Sequence, residues 1–222
     1  MSSNVKVVVF VIFIGLFSGC ATVNKMPLND KVKGIDTSEK SILLGRITIQ
    51  NKNKPNHQPK LLAVFINKNG KDYSFTKPSL ISEVDKESKE YIFSLASEPG
   101  VAELSLMRFL RQAFLINGVA DLPFKQEIVF PENEIVYIGN INASIIPREK
   151  GQPRAGSVIP LIDQSVTGFS SGTFVVEISD NYDEDIELIT KKFPYLAGKN
   201  ITKMILPEWE YPEDDANAKS SK

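Results

Sequence analysis

Apolar residues recur at every second position through short stretches between about Ser41 and Leu206, the period of half-buried strands. Ile42–Gln50 ends in such alternation, and Leu61–Lys68 and Asp72–Lys77 follow. The pair Asn69-Gly70 tolerates the positive φ values of a type I′ turn, which predicts a hairpin setting Phe65 and Ile66 against the region of Tyr73 and Phe75. Glu90–Ser97 puts Tyr91, Phe93 and Leu95 on one face and runs into Glu98-Pro99-Gly100. That triplet favours a type II turn, so the chain is expected to double back into a strand over Ala102–Leu106.

Met107–Ile116 keeps two periods open. Leu106, Phe109, Leu110, Ala113 and Phe114 sit at helical spacing, while the aromatic content suits a strand, and the strand reading is preferred. Its rival, a basic amphipathic helix on a membrane surface, is weakened by having two arginines and no lysine. Gln126–Phe130 and Glu134–Ile146 read as strands. In the second, the apolar register shifts near Gly139-Asn140, from Val136 and Ile138 to Ile141, Ala143 and Ile145, which predicts a β-bulge. Gly172–Ser179 carries Phe174, Val176 and Ile178 on one face. A helix should follow from Asp180 to about Phe193, with an acidic first turn, Lys191 and Lys192 in the last, and a stripe of Ile186, Ile189 and Phe193. Lys199–Leu206 is a short helix or an edge strand, with Ile201, Met204 and Ile205 inward.

The expected fold is mainly β, an antiparallel β-sandwich with one C-terminal α-helix. The succession of alternating strand, Pro-Gly turn and returning strand resembles prealbumin-like sandwiches, including carboxypeptidase regulatory-like domains, over roughly forty residues. That resemblance implies a sandwich and leaves the activity open.

Ahead of this pattern lies a different one. Lys6 precedes the apolar run Val7–Phe17, which as a helix would reach roughly 16 Å against a hydrocarbon core of about 30 Å. A basic flank, a short apolar run and small residues at its exit mark residues 1–19 as a secretory signal peptide. Leu16-Phe17-Ser18-Gly19-Cys20 resembles the lipobox of bacterial lipoproteins, although Phe17 stands where that family usually has Leu. The resemblance implies cleavage between Gly19 and Cys20 and a diacylglyceryl thioether on Cys20, which becomes the acylated first residue. Several acyl chains would exceed the single chain that binds only reversibly. Ala21 is not the Asp that resembles an inner-membrane retention signal. The expected location is therefore the outer membrane, lipid-anchored and facing the periplasm, with exposure at the cell surface left open. Cys20 is the only cysteine, so no internal disulfide is available.

About 200 residues remain after such cleavage, enough for one generous domain. Residues 20–40 are polar and charged and read as a flexible lipidated tether, which as a coil would span roughly 25 Å. Residues 41–206 form the predicted domain. Residues 207–222, acidic and then rich in Ala, Lys and Ser, read as a disordered tail in which Trp209 and Tyr211 are candidates for docking. The formal net charge of −1 argues against a nucleic-acid partner.

Candidate chemistry is sparse. His57, the only histidine, sits in the polar loop 51–60 with no second histidine or a free cysteine to complete a zinc site. Asn181, Asp183 and Asp185 share the alternating spacing of a calcium loop, but Ile186 and Lys192 stand where an EF-hand needs Gly and Glu. No nucleophile elbow, P-loop or dinucleotide fingerprint occurs. No metal, cofactor or catalytic residue is therefore assigned. The segment 147–167, basic in its first half through Arg148, Lys150 and Arg154, is the candidate partner-contact loop. The expected function is a structural or interaction component of the bacterial envelope, contacting another envelope protein. The alternative is a glycan-binding module, which would need an exposed platform drawn from Tyr73, Tyr91, Tyr137, Tyr182 and Trp209.

Overall fold

A computed structural model describes residues 22–29, 31–84, 87–113, 116–158 and 164–212. The expected signal peptide, with Gly19 and Cys20, lies outside the described residues, as do residues 213–222 of the expected tail. Among the described residues eleven strands form two sheets, with the four-residue helix α1 (Gln164–Thr167) and one helix of three turns. The first sheet has the order β1 (Thr22–Lys25), β4 (Lys71–Thr76), β3 (Lys60–Lys68), β7 (Gly100–Ala113), β8 (Ile116–Phe130). The second runs β10 (Gly172–Ser179), β9 (Ile135–Pro147), β2 (Ser41–Asn51), β6 (Ser88–Ser97), β5 (Ser79–Val84). The expected β-rich fold with a C-terminal helix is therefore present. The expectation of a wholly antiparallel arrangement is corrected, because β2 pairs parallel with β9, β1 with β4, and β11 (Ile201–Lys203) with β9.

Two apolar layers hold these parts together. Between the sheets lie Leu43, Ile47, Phe93, Val64, Leu104, Phe109, Phe124 and Ile141, all buried. On the outer face of the second sheet, Ile42, Leu44, Ile92, Ile135 and Tyr137 are covered by α2 (Tyr182–Lys192) and the 3-10 turn Pro194–Leu196, through Ile189, Phe193 and Leu196. The second sheet is thus buried on both faces and the first only on one.

Local signals behave as their chemistry requires. Asn69 and Gly70 have φ of 53° and 73°, and the hairpin pairs Phe65 with Ser74 and Ile66 with Tyr73. Met107–Ala113 continues β7, as the preferred reading has it. The Glu98-Pro99 turn, however, makes no hairpin: β6 lies in one sheet and β7 in the other. The turn is held from the neighbouring strand by Lys68, whose ammonium donates to Ser97 Oγ at 3.1 Å and to the Pro99 carbonyl at 3.1 Å. β8 is longer than the expected Gln126–Phe130 and contains Pro123. It is an edge strand, and between Leu104 and Leu106 of β7 it carries one extra residue, with Lys125 at φ 49°. A proline missing its donor is tolerated beside such a bulge on an edge.

The two ends of the chain differ most from expectation. Residues 22–28, expected to be part of a free tether, are docked on the domain. β1 adds to the first sheet, Met26 is buried in the central core, and Leu28 is buried on the helix side with its N–H bonded to Ser94 Oγ at 3.0 Å. Two long apolar side chains two residues apart, Met26 and Leu28, outweigh the polar character that suggested a coil. At the other end, residues 207–212 pack along β8: the Trp209 indole donates to the Pro123 carbonyl at 2.9 Å and Gln126 to Glu208 at 3.2 Å.

Candidate functional site

Among the described residues, the deeply buried charge cluster around Asp185 is assembled by the bulge in β9. Leu44 pairs with Tyr137 and Arg46 with Asn140, so Gly45 alone on β2 faces both Ile138 and Gly139 on β9, and Gly139 has a φ of 120°. Before the bulge, Ile135 and Tyr137 face the helix. After it, Ile141, Ala143 and Ile145 face the central core, which leaves Asn140 on the helix side beside Tyr137. Without the extra residue Asn140 would point between the sheets.

Onto this polar spot α2 lowers its first turn. Asp185 has no exposed surface. Its Oδ1 accepts Arg46 Nη1 at 2.8 Å, its Oδ2 accepts the Tyr137 hydroxyl at 2.5 Å, and the Asn140 amide donates to both oxygens at 3.3 and 3.1 Å. Arg46 reaches further to Glu184 at 3.2 Å and to Glu90 at 3.1 Å, and Glu90 also accepts the Ser82 hydroxyl. Burial raises the pKa of the Tyr137 phenol, and its bond to Asp185 raises it further. Burial alone would lower that of the Arg46 guanidinium. Its bonds to Asp185 and Glu90 outweigh the loss, so it too lies above its ordinary value. Both donors are therefore locked in their protonated forms around the carboxylate.

A buried carboxylate so placed fastens one element to another. Among the described residues it faces no cleft, because the helix that supplies it also seals it. Arg46 Nε and Asn140 Oδ1 stay buried without hydrogen-bond partners. Sequence reasoning passed over Arg46, Glu90 and Asn140. The available signals were an arginine inside the apolar strand Ile42–Gln50 and the bulge that turned Asn140 outward.

The other candidates are dispersed. Asp183 is exposed and Asp185 is turned inward, so the calcium spacing does not converge, and among the described residues no group of three or more His, Cys, Asp or Glu is placed to hold a metal. His57 is partly exposed, with its imidazole held below its ordinary pKa by burial and then by Arg111 and Lys54. The five aromatics build no common platform. Tyr91 and Tyr137 are buried, Tyr182 is tied through its hydroxyl to the Ile201 carbonyl, Trp209 is tied to Pro123, and Tyr73 packs on the central core.

The segment 147–167 is folded rather than free over its described part. Ala155 and Phe169 are buried, the Asp121 N–H donates to the Ala155 carbonyl at 2.9 Å, and Arg148 and Arg154 donate to the carbonyls of Gln152 and Ser170. Asn51 and Asn53 staple the loop after β2 to the same region through the carbonyls of Thr167 and Gly168, at 2.8 and 2.7 Å. Arg148 and Arg154, which suggested a partner-contact loop, are engaged by the backbone carbonyls of Gln152 and Ser170. No family model, curated protein or solved structure gives a significant match to this chain.

Proposed function

We propose that the protein is a lipoprotein of the bacterial outer membrane, acylated on Cys20 after cleavage at Gly19, with its domain facing the periplasm. It acts as a structural or interaction component of the envelope, contacts another envelope protein and performs no catalysis. The observation that carries this reading is the position of β1. The strand begins at Thr22, two residues beyond the cysteine of the lipobox-like sequence, and is fixed by the burial of Met26 and Leu28. Cleavage before Cys20 would leave every described element intact, and an acyl group there would sit directly at the edge of a sheet. The inward use of Asp185, Arg46 and Tyr137 supports an interaction role over a hydrolytic one, and the dispersal of the aromatics weighs against the glycan-binding alternative.

Contacts then fall to loops and sheet edges. Strand β10 ends the second sheet and exposes Val175, and β5 ends it on the other side and exposes Leu80. Purification of the full-length protein from detergent-solubilised envelopes tests the interaction role. One stoichiometric envelope partner is expected, lost on a Val175→Lys substitution at the exposed β10 edge. Repeated recovery of the protein alone would contradict it.

A further inference from the structure

Beside β1 lies an open cleft of about 380 Å³, lined by Lys25, Asn29, Lys31, Lys77, Pro78, Ser79 and Leu80. Three lysines converge on it, and none of its described lining residues is acidic. Lys77 is held there by a left-handed backbone, φ 65°, in the two-residue link between β4 and β5. Lys192, from the end of α2, adds a fourth cation at its rim by donating to the Leu80 carbonyl at 3.0 Å. Two exposed apolar side chains flank the lysines, Val23 at 71% and Leu80 at 45%. Basic groups interleaved with exposed apolar ones are what an anionic lipid surface takes up.

The position of this cleft narrows the ligand. Lys25 is five residues from Cys20, at most about 17 Å of extended chain. β1 is the outermost strand of its sheet, so nothing in that sheet separates it from a bilayer carrying the acyl group. We infer that the domain lies on its β1 edge, with the Lys25, Lys31 and Lys77 cleft seated on the phosphates of anionic phospholipid headgroups. The competing pose would stand on the Asn69-Gly70 hairpin, at the end of β4 nearer the anchor. There Lys68 is engaged with the Glu98-Pro99 turn and exposed Asp72 accompanies Lys71. At about fivefold per lysine near such a surface, the three lysines favour the edge-on pose by about 100-fold.

This inference rests on the anchor at Cys20, and the test separates the two. Because Cys20 is the only thiol, the chain from residue 20 is coupled through it to a maleimide lipid in vesicles, which places the domain at the membrane whether or not the cell acylates it. Amide exchange is followed in phosphatidylcholine vesicles with and without phosphatidylglycerol. The segments holding Lys25, Lys31 and Lys77 are expected to exchange at least about fivefold more slowly with the anionic lipid. The triple variant Lys25→Glu, Lys31→Glu, Lys77→Glu, checked for an unchanged urea midpoint, should lose that protection. Equal exchange in both vesicles, protection that survives the triple variant, or protection at the Asn69-Gly70 hairpin instead would overturn the proposal. So would inorganic phosphate reproducing the protection on neutral vesicles, which would mark a site for a free anion. Acylation in the cell is read independently from the mass of the N-terminal peptide.

Discussion

With Asp185 removed, Arg46 and the Tyr137 hydroxyl would keep their burial and lose their acceptor. Breaking one partner of a buried ion pair costs about 3–5 kcal/mol, so Asp185→Ala should lower the urea-unfolding free energy by that amount. Asp183→Ala, at an exposed position of the same helical turn, should change it by less than about 0.5 kcal/mol. Equal losses would mean that α2 is not fastened through Asp185. Tyr137 adds a pH dependence whose sign follows from its raised pKa. The unfolded-state phenol ionises near pH 10 while the folded one resists. Its contribution is full below pH 10 and is lost as the pH climbs above it. Tyr137→Phe should remove about one proton from the alkaline slope of stability, measured by denaturation between neutral and strongly alkaline pH. At this scale the sequence was legible only in part. Asp185 announced itself as a helix-start acid, but whether a first-turn carboxylate faces solvent or an arginine depends on which sheet lies beneath, and that is a non-local fact.

Among the elements, those with a local cause were readable. Asn69-Gly70 set its own hairpin, and the slip in apolar register at Gly139-Asn140 disclosed the bulge in β9 because a pleated strand cannot change faces otherwise. What escaped has a matching reason. The first half of β8, with Asn117, Gly118 and Pro123, looks like a loop until β7 supplies a partner along its full length. Parallel pairings such as β2 with β9 join residues about ninety apart and leave no trace in local alternation. Gly139 tests the bulge: at φ 120° a side chain is strained whatever the space. Gly139→Val should cost about 1–3 kcal/mol by thermal denaturation, and an unchanged midpoint would argue against the bulge. Met26 tests the folded N-terminal segment. Met26→Asp places an unpaired carboxylate in the central core, and amide exchange at Thr22–Lys25 should rise toward the rate of free chain. If β1 stays protected, it is held by something other than this plug.

At the scale of the whole molecule, the burial of Met26 and Leu28 alters what an anchor at Cys20 would do. A coil of twenty residues would have let the domain wander roughly 25 Å from the lipid. A strand starting two residues away leaves it no such freedom, so orientation at the membrane becomes a property of the fold. Composition predicted a tether because polar residues dominate residues 22–40, and two apolar side chains were enough to reverse the outcome. The proposed compartment, by contrast, rests on the signal-like pattern and lipobox resemblance of residues that lie outside the described structure. Everything proposed about function depends on them. Phase partition in a cloud-point detergent, run on envelopes carrying the wild-type chain or Cys20→Ser, addresses that dependence most directly. The account predicts that the wild type enters the detergent phase and that the Cys20→Ser protein, folded to the same urea midpoint, stays in the aqueous phase. Identical partition of the two would contradict it.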